Sequence, residues 1–417
     1  MASNNTAVKT SNYLSLQSHL VEDVPYVGQE TGIDCELCSF TMLVQHLQKD
    51  YTLHDMFYLI GAGHALGGNG ALQKLKHIKQ IFLPPEIDPG SIECIWKNDW
   101  QYLEPILGVK THIIYTEHPK DSEKAWEDYW QRVKTYLIND APVYTQIDMS
   151  KLTYYIKNNV FPPNSPAICH AIVLVGFNES NSTVCINDPE PAYDGKPEAG
   201  QYVYENISTL HDAVIRATES SFVIYKFGYL TITLENVSNA LPKKQAVEIT
   251  RYRNIQKMKG CPCSYDPVFV EPGAKFGIRA LKLYKNKMQI IKVLPKLPTW
   301  FILNRGAQLF SEDDNSTFPF GLISTFIPTI KLEKQFAAET LLKYCDTASC
   351  HLEGILLQNE SEKWGEFYLS YNEFVELLKN KGLGSTLFLS INLLRHMQEI
   401  LGDLIHIEEE IIQNYSE

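Results

Sequence analysis

Apolar and polar positions change rhythm along this chain. From Val24 to about Leu234 they alternate between helical and strand spacing. Glu36 to Gln48 and Ser122 to Ile138 have helical periodicity, and short runs rich in Val, Ile and Tyr read as strands. Around NVSNALPKKQAVE, residues 236–248, polar residues and a proline break the pattern and mark a boundary. Beyond it the spacing is mostly helical, in FGIRALKLYKNKMQIIKVL and from Glu333 to Cys345. The longest helix is expected from Leu387 to about Ile412, where Leu387, Ile391, Leu394, Met397, Leu401, Leu404 and Ile405 form one stripe. The pattern therefore predicts a polar, flexible leader over 1–22, an α+β domain over 23–240 and a mainly helical domain over 241–417. No fixed-period repeat is present, which argues against solenoids and propellers.

Composition narrows this picture. The chain has 417 residues, 44% of them hydrophobic, with no apolar run near the roughly 18 residues of a membrane span, so a soluble globular protein is expected. A formal charge of −12, with only short basic groups such as Lys243 and Lys244, argues against nucleic-acid partners. Nine cysteines without an export signal point to free thiols in the reducing cytoplasm rather than a disulfide framework. A thiol nucleophile is then chemically available.

The stretch VGQETGIDCELCSF, residues 27–40, holds the first candidate. Leu37, Phe40, Leu43 or Val44, and Leu47 make a helical stripe, so Cys35 falls at a helix start, where unpaired N–H groups favour a thiolate. Gln29 lies a short turn upstream. Its side-chain N–H and the backbone N–H of Cys35 could together hold an oxyanion, with Gly32 allowing the bend. His170 opens the apolar run CHAIVLVGF, a buried strand that ends in the polar turn NESNS and returns as TVCIND. Paired residues of an antiparallel hairpin share a constant sum. A turn centred on Glu179 puts His170 opposite Asp188, and one centred on Ser180 makes them diagonal neighbours on one face. A centre between those two residues puts them on opposite faces. A carboxylate beside His170 would fix its tautomer and stabilise the imidazolium. Taken singly, each residue also has a bland reading: a buried cysteine at a helix start, a solvated glutamine, a core histidine, a turn aspartate.

Gln29, Cys35, His170 and Asp188, in the contexts VPYVGQETGIDCE, CHAIVLVGF and CINDPEP, resemble the papain-like superfamily and within it the peptidase-C39-like branch. About 135 positions separate Cys35 from His170, inside the roughly 130–150 of papain-like enzymes. CELCSFTMLVQHLQKDYTLHDMFYLIGAGHAL and the tyrosine-rich APVYTQIDMSKLTYY are similar to the N-terminal domain family of butirosin biosynthesis protein H. The likeness runs from about Val24 to Tyr229. It implies a papain-like fold, no cofactor, and acyl chemistry through a Cys–His–Asp triad with a Gln oxyanion hole. The substrate would be a peptide, an amide or an acyl-thioester, the last on a carrier protein. C39 peptidases cleave peptide bonds, whereas the butirosin protein transfers an aminoacyl group to an amine. Asp34 stands where close relatives of the latter often have histidine, and the spans and nucleotide-binding loop of C39 exporters are missing.

Other readings compete. C-E-L-C, Cys35 with Cys38, could be a redox pair, and a catalytically silent binding module could keep the same fold. Cys261 with Cys263, or Cys345 with Cys350, completes no zinc pattern. GAGHALGGNG, residues 61–70, lacks the lysine of a phosphate loop and reads as a cleft-lining turn. The terminal HIEEEIIQNYSE reads as a solvated, fraying helix end. It also resembles the glutamate-rich signals of bacterial type IV secreted effectors, which would put a cysteine protease to work on a host protein.

Overall fold

The computed structural model describes residues 16–30, 34–64, 67–68, 87–88, 98–117, 122–161, 167–190, 199–217, 228–261, 275–287 and 318–416. They fall into two compact units, Met1–Leu53 with Glu104–Ala240, and His54–Leu103 with Leu241–Glu417. Helices mix with antiparallel strands in the first and dominate the second, an α+β architecture with a helical C-terminal region. Two details depart from the expected division. Ser18–Leu20, placed by its polarity in a flexible leader, is a strand, and residues 54–103 group with the helical unit. Side-chain bonds hold helix Leu53–Ile60 there: Lys243 donates to Asp55, and Asn254 and Lys257 donate to the carbonyls of Tyr58 and Ile60.

The first unit is built on one seven-stranded sheet. Its strands are β1 (Ser18–Leu20), β2 (Val109–Glu117), β3 (Val143–Asp148), β4 (Cys169–Asn178), β5 (Thr183–Asn187), β6 (Val203–Asn206) and β7 (Gly228–Asn236). They run in the order β2-β7-β3-β4-β5-β6, with β1 beside β4. The helices are α1 (Cys35–His46), α2 (Ser122–Ile138), α3 (Thr153–Lys157) and α4 (Ile207–Ala217). The apolar run of β4 is buried from Ala171 to Val175 and again at Phe177, as its composition predicts. Helix α1 differs from the amphipathic stripe expected of it. Glu36 through Val44 are all buried, so it is a central helix rather than a surface one. Thr41 is accommodated there by returning its hydroxyl to the Leu37 carbonyl at 2.7 Å.

The hairpin β4–β5 changes register along its length. Near the turn Asn178 pairs with Thr183, Phe177 with Val184 and Gly176 with Cys185; past it Leu174 pairs with Ile186 and Val173 with Asn187. Val175 is the extra residue, a β-bulge. The pairing nearest the turn, carried on unchanged, would put His170 and Asp188 on opposite faces. With the bulge, Asp188 falls opposite Ile172 and becomes the diagonal, same-face neighbour of His170. The bulged carbonyl does not go to waste, because Val21 donates its N–H to Val175 at 2.7 Å.

In the second unit, helix Ala348–Ser416 has 69 residues and would be about 100 Å long if straight. Yet the Ser349 hydroxyl donates to the Asn414 carbonyl at 3.0 Å, so its two ends lie side by side. The helix doubles back near its middle, where the sequence carries Gly382 and Gly384. The stripe expected from Leu387 belongs to the returning arm: Met397, Leu401 and Leu404 are buried with Trp364 and Phe367 of the outgoing one. Lys334, itself buried, meets Glu360 at 2.7 Å and Glu408 at 3.2 Å. Glu408 therefore does not belong to a solvated helix end, because Lys334 draws it into the interior. Cys345 and Cys350 are joined by a disulfide across the turn before this helix, where their Cα atoms lie 6.0 Å apart, which corrects the expectation of free thiols throughout. Gly61 to His64 pack inside this unit, with a Cβ on Gly63 falling 2.5 Å from that of Ala337, so this part of the glycine-rich stretch serves helix packing rather than a cleft. The remainder of the 61–70 stretch, apart from the short strand Gly67–Gly68, lies outside the described residues, as do Met1–Ser15 and residues 288–294 of the expected helix.

Candidate active site

Cys35 is the first residue of α1 and is half-buried. Asp34 before it is buried but does not cap the helix through its side chain; its carboxylate instead accepts the Glu30 N–H at 3.1 Å and ties the incoming loop. Cys38, one turn on, is fully buried and donates its thiol to the Gly28 carbonyl at 3.5 Å. Burial, helped by the charge of Asp34, pushes that thiol well above its usual range. Cys38 is thus a core residue, and both members of C-E-L-C are free thiols.

His170 and Asp188 meet as the register of the bulged hairpin requires. His170 Nε2 lies 2.7 Å from Asp188 Oδ1, with both side chains almost wholly removed from solvent. The side chain of Cys35 also acts on the imidazole and favours its charged form. Burial alone would lower the imidazole's pKa. The charge and hydrogen bond of Asp188, joined by Cys35, outweigh it and hold His170 well above the usual histidine value. These neighbours favour the imidazolium that would form if His170 took up a proton.

Asp188 carries more partners than the sequence suggested. Tyr154 and Tyr155, on α3, both donate to its Oδ2, the latter at 3.1 Å, and the Glu190 N–H donates to Oδ1 at 2.9 Å. Its backbone is clamped too: its N–H donates to the Gly200 carbonyl at 2.8 Å, and its own carbonyl accepts the Tyr26 hydroxyl at 2.8 Å. A Cβ on Gly200 would fall 1.8 Å from that carbonyl oxygen, which demands glycine there. The adjacent tyrosines of KLTYY stood out in the sequence, but nothing in their spacing tied them to an aspartate more than thirty positions away. Gln29 reaches this end of the sheet through its backbone, donating to the Pro189 carbonyl at 2.7 Å. The acid and the glutamine loop are thereby stitched together, and residues 31–33, between Gln29 and Cys35, lie outside the described ones.

A helix-borne thiol, an imidazole at the start of a strand and a carboxylate just past the end of the returning strand occur here in the order Cys, His, Asp. Residues 21–210 match the peptidase C39-like family. The C39-like segment holds Gln29, Cys35, His170 and Asp188 together with Tyr154, Tyr155 and Gly200, and it ends within α4. It spans a little under half of the chain and leaves the helical C-terminal region unmatched. No curated protein matches the chain.

Proposed function

We propose that this chain is a papain-like thiol hydrolase that cleaves a peptide or amide bond through an acyl-thioenzyme. The observation that carries the reading is the buried, hydrogen-bonded pair Asp188–His170, whose imidazole is also acted on by the Cys35 side chain. His170 takes the thiol proton, and Cys35 Sγ attacks the carbonyl carbon. The oxyanion rests on the Cys35 N–H and the Gln29 side chain, the C–N bond breaks, and the leaving amine takes its proton from His170. Water activated by His170 then cleaves the thioester and frees the thiol. An amine acceptor in place of water would make the same site an acyltransferase. A catalytically silent module would need no four-donor shell around a buried aspartate.

Iodoacetamide with site mapping tests this directly. Burial pushes the thiols of Cys38 and Cys169 well above their usual values and that of Cys185 up to about 11, so of these four Cys35 should be alkylated first at neutral pH. His170→Ala should remove that lead. Equal rates at Cys35 and Cys185, or a rate at Cys35 indifferent to His170→Ala, would sink the enzyme reading. Trapped acyl-enzyme whose turnover rises with added amine would shift the assignment from hydrolysis to transfer.

A further inference from the structure

The residue after the nucleophile is a glutamate, and it is buried. Glu36 is 8% exposed, and its Oε1 accepts a hydrogen bond from Gln146 Nε2 at 2.7 Å. Gln146 is itself buried and also reaches the Tyr144 hydroxyl at 3.2 Å. It sits on β3 next to Ile147, the residue paired with His170 on β4. Cys35 and His170 are therefore joined by a second route: peptide bond to Glu36, side-chain bond to Gln146, peptide bond to Ile147, strand pairing to His170. After burial, the charges of Glu36 and Cys35 both bear on Tyr144 and on Cys169, which places the pair in the neighbourhood of the thiol.

We infer that Glu36 and Gln146 are positioning residues that hold Cys35 in hydrogen-bonding register with His170. This rests on the proposed thiol chemistry. A thiol–imidazole bond between a helix and a sheet is weak against sliding of the helix, whereas a charge-assisted bond removed from water is short and directional. The tie acts through geometry. An amide acceptor at position 36 should serve, and loss of the Gln146 donor should not be tolerated.

The test reads Cys35 alkylation against pH in the full-length protein. Gln146→Leu keeps volume without the donor. It is expected to slow Cys35 about tenfold to a hundredfold at neutral pH, the scale of a 1 Å misplacement. Glu36→Ala should do the same, and Glu36→Gln should recover most of the rate. Should Gln146→Leu not fold, Gln146→Asn withdraws the donor by one methylene without facing the carboxylate with an apolar group, and the same loss is expected. A folded Gln146 variant with the wild-type profile overturns the inference, as does Glu36→Gln failing as completely as Glu36→Ala. His170→Ala separates the two claims: if it slows Cys35 and the Gln146 variants do not, the positioning role fails while the thiol chemistry stands.

Discussion

The buried carboxylate of Asp188 controls the histidine beside it. Without its charge, the burial that now loses to Asp188 would be opposed on His170 by Cys35 alone. Asp188→Asn should therefore move the imidazole titration, followed by NMR of its ring protons, from well above to at or below the ordinary value of about 6.5. The sign for stability follows. A histidine whose folded pKa is raised contributes stability that is complete below the unfolded value and lost as pH rises through the folded one. The stability advantage of wild type over His170→Ala should thus be largest in mild acid and shrink in base. Tyr154→Phe and Tyr155→Phe each remove a hydroxyl donor from a charged, buried acceptor. Each should cost about 1–3 kcal/mol in denaturant unfolding. Of these residues, Cys35, His170 and Asp188 were legible because helix start, strand start and returning strand each leave a local pattern. The tyrosines were not, because a hydroxyl's partner is set by tertiary approach.

For the β4–β5 hairpin, pairing arithmetic narrowed the choices without deciding among them. A run as uniformly apolar as AIVLV offers no mark for the residue that will bulge, so the register could be stated only as three alternatives. With the bulge located at Val175, shortening and lengthening β4 become unequal. Deleting one residue between Ala171 and Val175 can be absorbed by straightening the strand, which leaves His170 and Asp188 on one face. Inserting one turns His170 to the other face, because side chains alternate at every step. Deletion of Val175 is therefore expected to keep the preferential alkylation of Cys35 at some cost in melting temperature, partly from losing the bond to Val21. Insertion of alanine after Val173 should abolish that preference in a protein that still melts cooperatively. Equal behaviour of the two variants would refute the role given to the bulge.

At the scale of the whole molecule, rising pH should weaken the helical unit as it weakens the sheet, but from a lower starting pH. Burial, with the Glu360 charge and against the pull of Lys334, pushes Glu408 up to about 8. The folded state then holds a proton there that the unfolded chain releases near 4.5, so stability falls as pH climbs between those values and levels off above. The span is on the order of 3–5 kcal/mol. Thermal melts at mildly acid and mildly alkaline pH should show the fall, and Glu408→Gln should flatten it. In the sequence, the break near residue 240 stands out because composition changes abruptly there. The excursion of residues 54–103 into the second unit does not stand out, since their own pattern is continuous with what precedes them. Strand order adds a consequence for synthesis. β7, the last strand of the sheet to be made, lies between β2 and β3, so the sheet cannot close until Gly228–Asn236 has left the ribosome. At about 5–20 residues per second, α1 would wait roughly 10–40 s with its apolar sides uncovered. During that time a chaperone has its best opportunity to bind the nascent chain.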